Sequence, residues 1–416
     1  MRTLYSIGIF FYSLAVRLAS LFNNKAALMC TGWKQWLNIL SAFKTNCENS
    51  KIAWFHAASL GEFEQARPVL EKFRSQHPDY KVCLTFFSPS GYEVRKNYSL
   101  ADAVMYLPPD TRINARRLVE TMKPNIAFFV KYEFWFNYLH QLQKNNTPTY
   151  LFSAIFRPSQ YFFKWYGRWF AKQLHCYNHI FVQNNDSLSL LRTAGMQHCS
   201  LAGDTRFDRV ADIAKQAKVF PPIESFIDND IPVLMAGSSW EPDEKCIKDF
   251  FDRYDNPIKV ILAPHVISEN HLSQIEKMFG SDNCIRYSQF NTQIPSTKKN
   301  ILIIDNIGML SSLYRYATIA CVGGGFGKGI HNVLEAAIFA KPVCFGPNHA
   351  KFKEAVDLLH CGAAKSFDNS DQLYSILSSW LDNANNYQSS AEAAKKYMDD
   401  NLGSTDIILN QINAIK

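Results

Sequence analysis

Two acids, one arginine and a glycine-rich loop carry the residue types that could do chemistry in this chain. His56-Ala57-Ala58-Ser59-Leu60-Gly61-Glu62-Phe63 closes an apolar run, Ile52 to His56, and opens a helical pattern, Gly61 to Phe73. Glu62 therefore stands at a helix N-terminus just past a strand. The dipole there lowers a carboxyl pKa and keeps the group ionised, ready to accept a proton from a hydroxyl; a first-turn acid with only a stabilising role fits the same position. Lys131-Tyr132-Glu133-Phe134-Trp135 follows the run Ile126 to Val130 and sets a second acid among aromatic residues. A carboxylate in such company is costly unless paired or hydrogen-bonded, which points to a site, with Lys131 as the local partner. Arg206, in Gly203-Asp204-Thr205-Arg206-Phe207-Asp208, could neutralise charge developing on a substrate, or be held in an ion pair by its flanking aspartates.

The stretch Ala317 to Gly346 reads strand, glycine loop, helix, strand. Ile319 to Val322 are apolar, four glycines fall within Gly323 to Gly327, and Val343 to Phe345 close the unit. Glycines let a backbone approach a ligand closely, and amides at the following helix start suit a phosphate. Asn332 can cap that helix, and Glu335 can accept hydrogen bonds from ribose hydroxyls; an Asn-x-x-Glu capping box needs no ligand. The spacing departs from G-x-G-x-x-G, since Lys328 stands where the third glycine belongs, so a nucleotide sugar suits the loop better than a dinucleotide. Ala263-Pro264-His265 and Asp305-Asn306-Ile307-Gly308-Met309-Leu310 end two further strands, on the same rim.

These residues need elements to position them, and the chain supplies two alternating series. Strands are expected at Ile52 to His56, Val82 to Phe87, Ala103 to Tyr106, Ile126 to Val130, Thr149 to Phe152 and Ile180 to Val182, with a helix at Arg112 to Met122. The second series has Val233 to Ala236, Lys259 to Leu262, Ile301 to Ile304, Ile319 to Val322 and Val343 to Phe345. Such alternation implies α/β domains, each a parallel sheet with helices on both faces. Pro221 and Pro222, with Asp228, Asn229 and Asp230, mark a linker. The expected division is 1–25 as an apolar N-terminal helix, 45–220 as the first domain and 230–416 as the second, whose last helix is free to pack back on the first. Two such domains facing each other would leave a cleft lined by the carboxyl ends of both sheets.

Composition narrows the classes. At 416 residues, 47% hydrophobic and 19% charged, the chain is a folded protein too long for one ordinary core. Ten cysteines without a C-x-x-C pair argue against zinc and against a disulfide framework. A net charge of +7 favours an anionic partner. Leu4 to Val16 is apolar, and Leu18 to Phe22 resumes the run after Arg17, as in an uncleaved anchor or an interfacial helix; a buried covering helix is the alternative. Nine aromatics between Phe152 and Phe170, interleaved with Arg157, Lys164 and Arg168, suit a membrane interface better than nucleic acid, for which no recognised motif surrounds them.

Taken in order, six blocks resemble the Kdo transferases, which attach 3-deoxy-D-manno-octulosonic acid (Kdo) to the lipid A precursor. They are His56 to Glu62, Lys131 to Trp135, Gly203 to Asp208, Pro264-His265, Gly308 to Leu310, and Gly323 to Glu335 continuing to Gly346-Pro347. The resemblance implies a GT-B type fold, two facing Rossmann-like domains, with the acceptor on the first and the CMP-sugar donor on the second. It implies Glu62 as the base that deprotonates the acceptor hydroxyl, and Glu133 and Arg206 as stabilisers of the transition state. Pro264, His265, Gly308, Met309, Leu310, Gly324, Gly325, Asn332, Val333, Leu334 and Glu335 fall in the blocks that bind CMP. It implies inversion in one displacement with no metal and no cofactor, a CMP-Kdo donor, an anionic lipid A precursor as acceptor, and the cytoplasmic side of a bacterial inner membrane. The chain departs from the family in having Arg206 where lysine is usual, Lys131 where an acid is usual, and Pro264 where an arginine precedes the histidine. Arginine keeps the charge at 206 and changes its geometry. Another GT-B transferase using a UDP-sugar, or a membrane-tethered binding protein without activity, are the alternatives.

Overall fold

Apolar strands alternating with amphipathic helices build two parallel seven-stranded sheets, each in its own unit. The computed structural model describes residues 1–47, 50–227, 231–290 and 299–415. Unit 1 comprises Met1–Arg209 and Leu402–Lys416, and unit 2 comprises Val210–Asn401.

In unit 1 the order is α1 (Arg2–Ala19), α2 (Asn24–Thr45), β1 (Lys51–Ala57), α3 (Leu60–Gln76), β2 (Tyr80–Phe86), α4 (Pro89–Arg95), β3 (Ala103–Tyr106), α5 (Arg112–Met122), β4 (Ile126–Val130) and α6 (Phe136–Lys144). Then come β5 (Thr149–Ala154), α7 (Arg168–Gln173), β6 (His179–Val182), α8 (Asn185–Thr193) and β7 (Cys199–Leu201), with α9 (Arg206–Lys215) running across the boundary. The strands lie in the order β3-β2-β1-β4-β5-β6-β7, so the winding direction reverses between β1 and β4. Ligands of open α/β sheets sit beyond the strand ends at such a reversal. Along β1, Ile52 and Trp54 enter one core, with Trp36 and Leu40 of α2, while Ala53 and Phe55 enter the other, with Phe63 and Phe73 of α3. Period-two alternation puts His56 on the first of these faces.

Unit 2 runs α10 (Pro221–Phe226), β8 (Val233–Ser239), α11 (Glu241–Arg253), β9 (Lys259–Pro264), α12 (Glu269–Phe279), β10 (Cys284–Arg286), β11 (Ile301–Ile303), α13 (Leu310–Leu313), β12 (Ile319–Val322) and α14 (Leu334–Ala337). It continues with β13 (Val343–Phe345), α15 (Lys353–His360), β14 (Ala364–Ser366), α16 (Ser370–Leu381) and α17 (Ala384–Asn401); α18 (Ser404–Ile415) returns to unit 1. The order β10-β11-β9-β8-β12-β13-β14 reverses between β8 and β12.

Three strands, β7, β10 and β14, were not anticipated from sequence; each has three residues and lies at a sheet edge, where one neighbour suffices and the apolar run is short. Pro221 and Pro222 do not form a linker but occupy the first turn of α10, where their missing N–H groups cost nothing. Asp228, Asn229 and Asp230, expected in that linker, lie outside the described residues.

Polar hooks fasten α1 to unit 1. Arg2 Nε donates to Asn137 Oδ1 (3.1 Å), and Tyr5 OH donates to Asp110 Oδ2 (2.7 Å). Its other side leaves Leu4, Phe10, Phe11 and Leu18 exposed, so α1 is not a buried covering helix. Among the described residues no single helix is long and apolar enough to cross a membrane; α1 and α2 pass such a test only as a pair, bent by 120°. Most rings between 152 and 170 pack inward instead of facing out. Phe156 and Phe162 are buried and Trp169 lies against Tyr5 and Phe136, whereas Trp165, Tyr166 and Tyr161 reach the surface.

Candidate functional site

The reversal point of unit 1 gathers the end of β1, the start of α3 and the residues after β4. Glu62 lies on the first turn of α3, half-buried, and its Oε2 accepts a hydrogen bond from Ser59 Oγ (2.8 Å). The sequence argument placed its proton affinity below the ordinary carboxylate range; the structure reverses that direction. Burial pushes the Glu62 pKa up, the negative charge of Glu133 adds to the rise, and Ser59, His56 and Lys131 offset only part of it. Desolvation outweighs the helix dipole here, and a carboxylate with raised affinity is the better proton acceptor near neutral pH.

Glu133 is buried, as its aromatic setting suggested, but its partner is not Lys131. His56 Nε2 lies 2.9 Å from Glu133 Oε2, and Trp135 Nε1 donates to the same oxygen. Lys131, with φ of 67°, instead places its ammonium over the Tyr132 ring. Pairing of β1 with β4 brings His56 opposite Phe129, which is why residues 77 apart in sequence meet.

Arg206 begins α9 and is clamped to Asp204. Its Nε donates to Asp204 Oδ2 (2.9 Å), and the backbone N–H of Arg206 donates to Oδ1 (3.0 Å). Asp208 does not share in this clamp: it accepts from the backbone N–H groups of Gly403 (2.7 Å) and Thr405 (2.6 Å) and so caps α18.

In unit 2 the glycine loop leaves β12 beside the end of β8. Its glycines serve close backbone packing first. A Cβ on Gly323 would meet Ser238 O at 2.3 Å, and one on Gly325 would meet Gly346 Cα at 2.5 Å. Three amides of the loop itself are used within the protein. Gly323 N–H donates to Gly237 O (2.9 Å), Gly327 N–H to Gly324 O (3.0 Å), and Gly324 N–H to Asp243 Oδ2 (3.0 Å). Asp243, on the first turn of α11, also accepts from Trp240 N–H (3.0 Å), while its buried Oδ1 has no partner among the described residues. Burial raises the Asp243 pKa.

The helix expected after the loop is a single turn, α14, ended by a left-handed Ala340 (φ 54°), so its dipole is small. Asn332 Oδ1 accepts from Leu334 N–H (3.2 Å) and Asn332 Nδ2 donates to Glu335 Oε1 (2.9 Å), so the two side chains bond each other rather than closing a capping box. Val333 and Leu334 are buried and hold this turn in the core, and Met309 does so for the 308–310 segment, where Gly308 has φ of 93° and Leu310 opens α13. Pro264 is buried at the end of β9. His265 is exposed and stacks on Trp240 (4.8 Å, 25°) and on His331 (4.4 Å, 26°). Trp240, Asp243 and His331 were missed in the sequence. The signal for the first two was Trp240-Glu241-Pro242-Asp243-Glu244, an acidic helix start with proline at its head. Among the described residues no group of three or more His, Cys, Asp or Glu side chains is placed to hold a metal ion.

Two Rossmann-like units, each with its reversal point, make a GT-B type fold. The fold likeness extends to the UDP-GlcNAc 2-epimerase from Neisseria meningitidis bound to UDP-GlcNAc, with a TM-score of 0.61 at 15% identity over 88% of this chain and 100% of that one. Residues 31–209 match the family described as 3-deoxy-D-manno-octulosonic-acid transferase (kdotransferase). A Kdo transferase of Rickettsia felis is 27% identical over 380 residues, covering 87% of this chain and 78% of that one. Another, of Haemophilus influenzae, is 25% identical over 326 residues, covering 76% and 75%. The match to this family's model thus spans the first unit, and the two curated relatives that extend over most of the chain are Kdo transferases.

Proposed function

We propose that this protein is a Kdo transferase that moves Kdo from CMP-Kdo to a hydroxyl of the anionic lipid A precursor, with inversion, and that Glu62 is its base. The observation that carries the reading is Glu62 itself: a half-buried carboxylate of raised pKa at the β1–β4 reversal. The acceptor oxygen attacks the anomeric carbon, the bond from that carbon to the CMP phosphate oxygen breaks, and the hydroxyl proton passes to Glu62. CMP departs as a phosphate monoester that carries its own negative charge, so the donor side needs little acid assistance. Arg206, anchored by Asp204, supplies positive charge for the transition state, and Glu133 supports the base from its bond with His56. In unit 2, His265, Gly308 to Leu310, Gly324, Gly325 and Asn332 to Glu335 bind the CMP part.

The lipid acceptor suits α1. Its exposed Leu4, Phe10, Phe11 and Leu18 would rest in the cytoplasmic face of the inner membrane, beside Arg17 and Lys25 for anionic headgroups. A cavity of about 250 Å³, lined by Phe10, Leu14, Trp33, Trp36 and Arg17 among others, offers an apolar wall to an acyl chain.

The test is mass spectrometry of tetra-acylated lipid A precursor after incubation with CMP-Kdo and purified protein, beside the Glu62→Gln variant. A mass gain of one or more Kdo residues with the parent protein is expected, with at least a hundredfold slower gain in the variant, which still binds CMP. A variant as active as its parent removes Glu62 as base, and no transfer by the parent removes this donor and acceptor.

A further inference from the structure

We infer that His56 is a positioning residue for the base, holding Glu133 and supplying the proton that cancels its charge beside Glu62. The inference rests on the reading of Glu62 as base and adds to it a residue whose role the six sequence blocks left open.

The argument is a count of donors and acceptors. His56 and Thr85 are fully buried, and Glu133 is 4% exposed, so each polar atom needs a partner inside the protein. Trp54 Nε1 donates to Thr85 Oγ1 (2.9 Å), and the Thr85 hydroxyl spends its one proton on Phe55 O (3.3 Å). The 2.8 Å contact between Thr85 Oγ1 and His56 Nδ1 is then carried by an N–H of the imidazole. The Thr85 carbonyl oxygen, 3.1 Å from the same nitrogen, can only accept and demands the same proton.

With Nδ1 protonated, the Nε2 side has two arrangements. Nε2 either carries a second proton and donates to the Glu133 carboxylate, or accepts from a protonated Glu133 Oε2. In both, one proton lies between Nε2 and Oε2, and the pair is neutral as a whole. Trp135 Nε1 donates to Glu133 Oε2 and also lies 3.1 Å from His56 Nε2, so two side chains hold the carboxyl group, while Tyr177 OH donates to the Glu133 backbone oxygen.

A neutral pair matters because Glu62 feels it. The titratable groups facing Glu62 are Glu133, His56 and Lys131, and Tyr177 faces Glu133. Without the imidazole, two carboxyl groups would share the reversal point, and the second would ionise only at higher pH.

The experiment is the pH profile of kcat/KM for transfer with CMP-Kdo and the lipid acceptor. His56→Gln, which retains an amide donor for Glu133 but no transferable proton, is expected to move the acid limb up by about one pH unit. His56→Gln with Glu133→Gln is expected to bring the limb back to that of the parent. A role confined to packing would lower the rate at every pH and leave the limb in place, and that result in a folded His56→Gln protein overturns the inference. Nitrogen NMR of the unaltered protein, labelled at histidine, gives a second test that needs no variant. His56 Nδ1 is expected to be the N–H nitrogen that bonds Thr85, and an unprotonated Nδ1 overturns the inference. Undiminished activity in Glu62→Gln overturns instead the base reading beneath it, so the two failures are separable.

Discussion

Replacing Gly325 by alanine should destabilise unit 2 before it affects any ligand. The added Cβ would lie 2.5 Å from Gly346 Cα, 2.6 Å from its N and 2.7 Å from its C, all backbone atoms at the exit of β13. No rotamer change relieves contacts with backbone, so the two segments must move apart by about 1 Å to reach ordinary contact distance. Overpacking of that kind costs about 1–3 kcal/mol. For a unit of this size that lowers the melting temperature by roughly 3–10 °C. Gly327 is the internal control: a Cβ there meets only Gly324 O, at 3.6 Å, and the position is exposed. Scanning calorimetry of both variants, followed by CMP titration, separates packing from ligand approach. Gly325→Ala should melt early, while Gly327→Ala should melt with the parent, and any loss of CMP affinity in it would report on the ligand. A Gly325→Ala protein that melts with the parent would refute the packing argument.

Burial pushes the Asp110 pKa from 3.8 to about 6, against the pull of Tyr5 and two backbone amides, so the folded state binds this proton more tightly than the unfolded chain. The stabilisation is fully present below pH 3.8 and is lost as pH rises through about 6; about 2 kcal/mol of it falls between pH 4 and pH 7, a change that Asp110→Asn should not show when denaturation is compared at those two values. Asp208→Ala removes both acceptors at the start of α18 and should cost about 1–2 kcal/mol, seen as faster hydrogen exchange of the α18 amides. Burial lowers the His331 pKa and His265 lowers it further, so His265→Ala should raise its NMR titration midpoint toward 6.5.

Strands buried on both faces are continuous apolar runs, and that is why Ile126 to Val130 and Ile319 to Val322 could be bounded from sequence to the residue. The three-residue edge strands lack the signal: Cys199–Leu201, for one, has Leu201 exposed. The block containing Glu133 was legible as a buried acid in need of a partner, but the partner was misjudged. Lys131 is near in sequence, whereas His56 is near only because β1 and β4 are neighbours in the sheet. The direction of the Glu62 shift failed for a related reason. A helix start is visible locally, while burial and a second carboxylate are properties of the assembled unit. In the glycine loop the type of residue was informative and its purpose was not, since the backbones it must clear, at Ser238 and Gly346, belong to other strands.

The return of α18 to unit 1 bears on the order in which the chain can mature. Ile408, Leu409 and Ile412 complete a core otherwise built from α3 and the first sheet, and Asp208 waits for the amides of Gly403 and Thr405. Unit 2 is one uninterrupted stretch and has all its residues before the last helix leaves the ribosome. Unit 1, although most of it is synthesised first, stays open along one flank until α18 has been made. A protein cut after Arg209 would carry that flank exposed, whereas a circular permutant placing Leu402–Lys416 ahead of Met1 would let unit 1 close early.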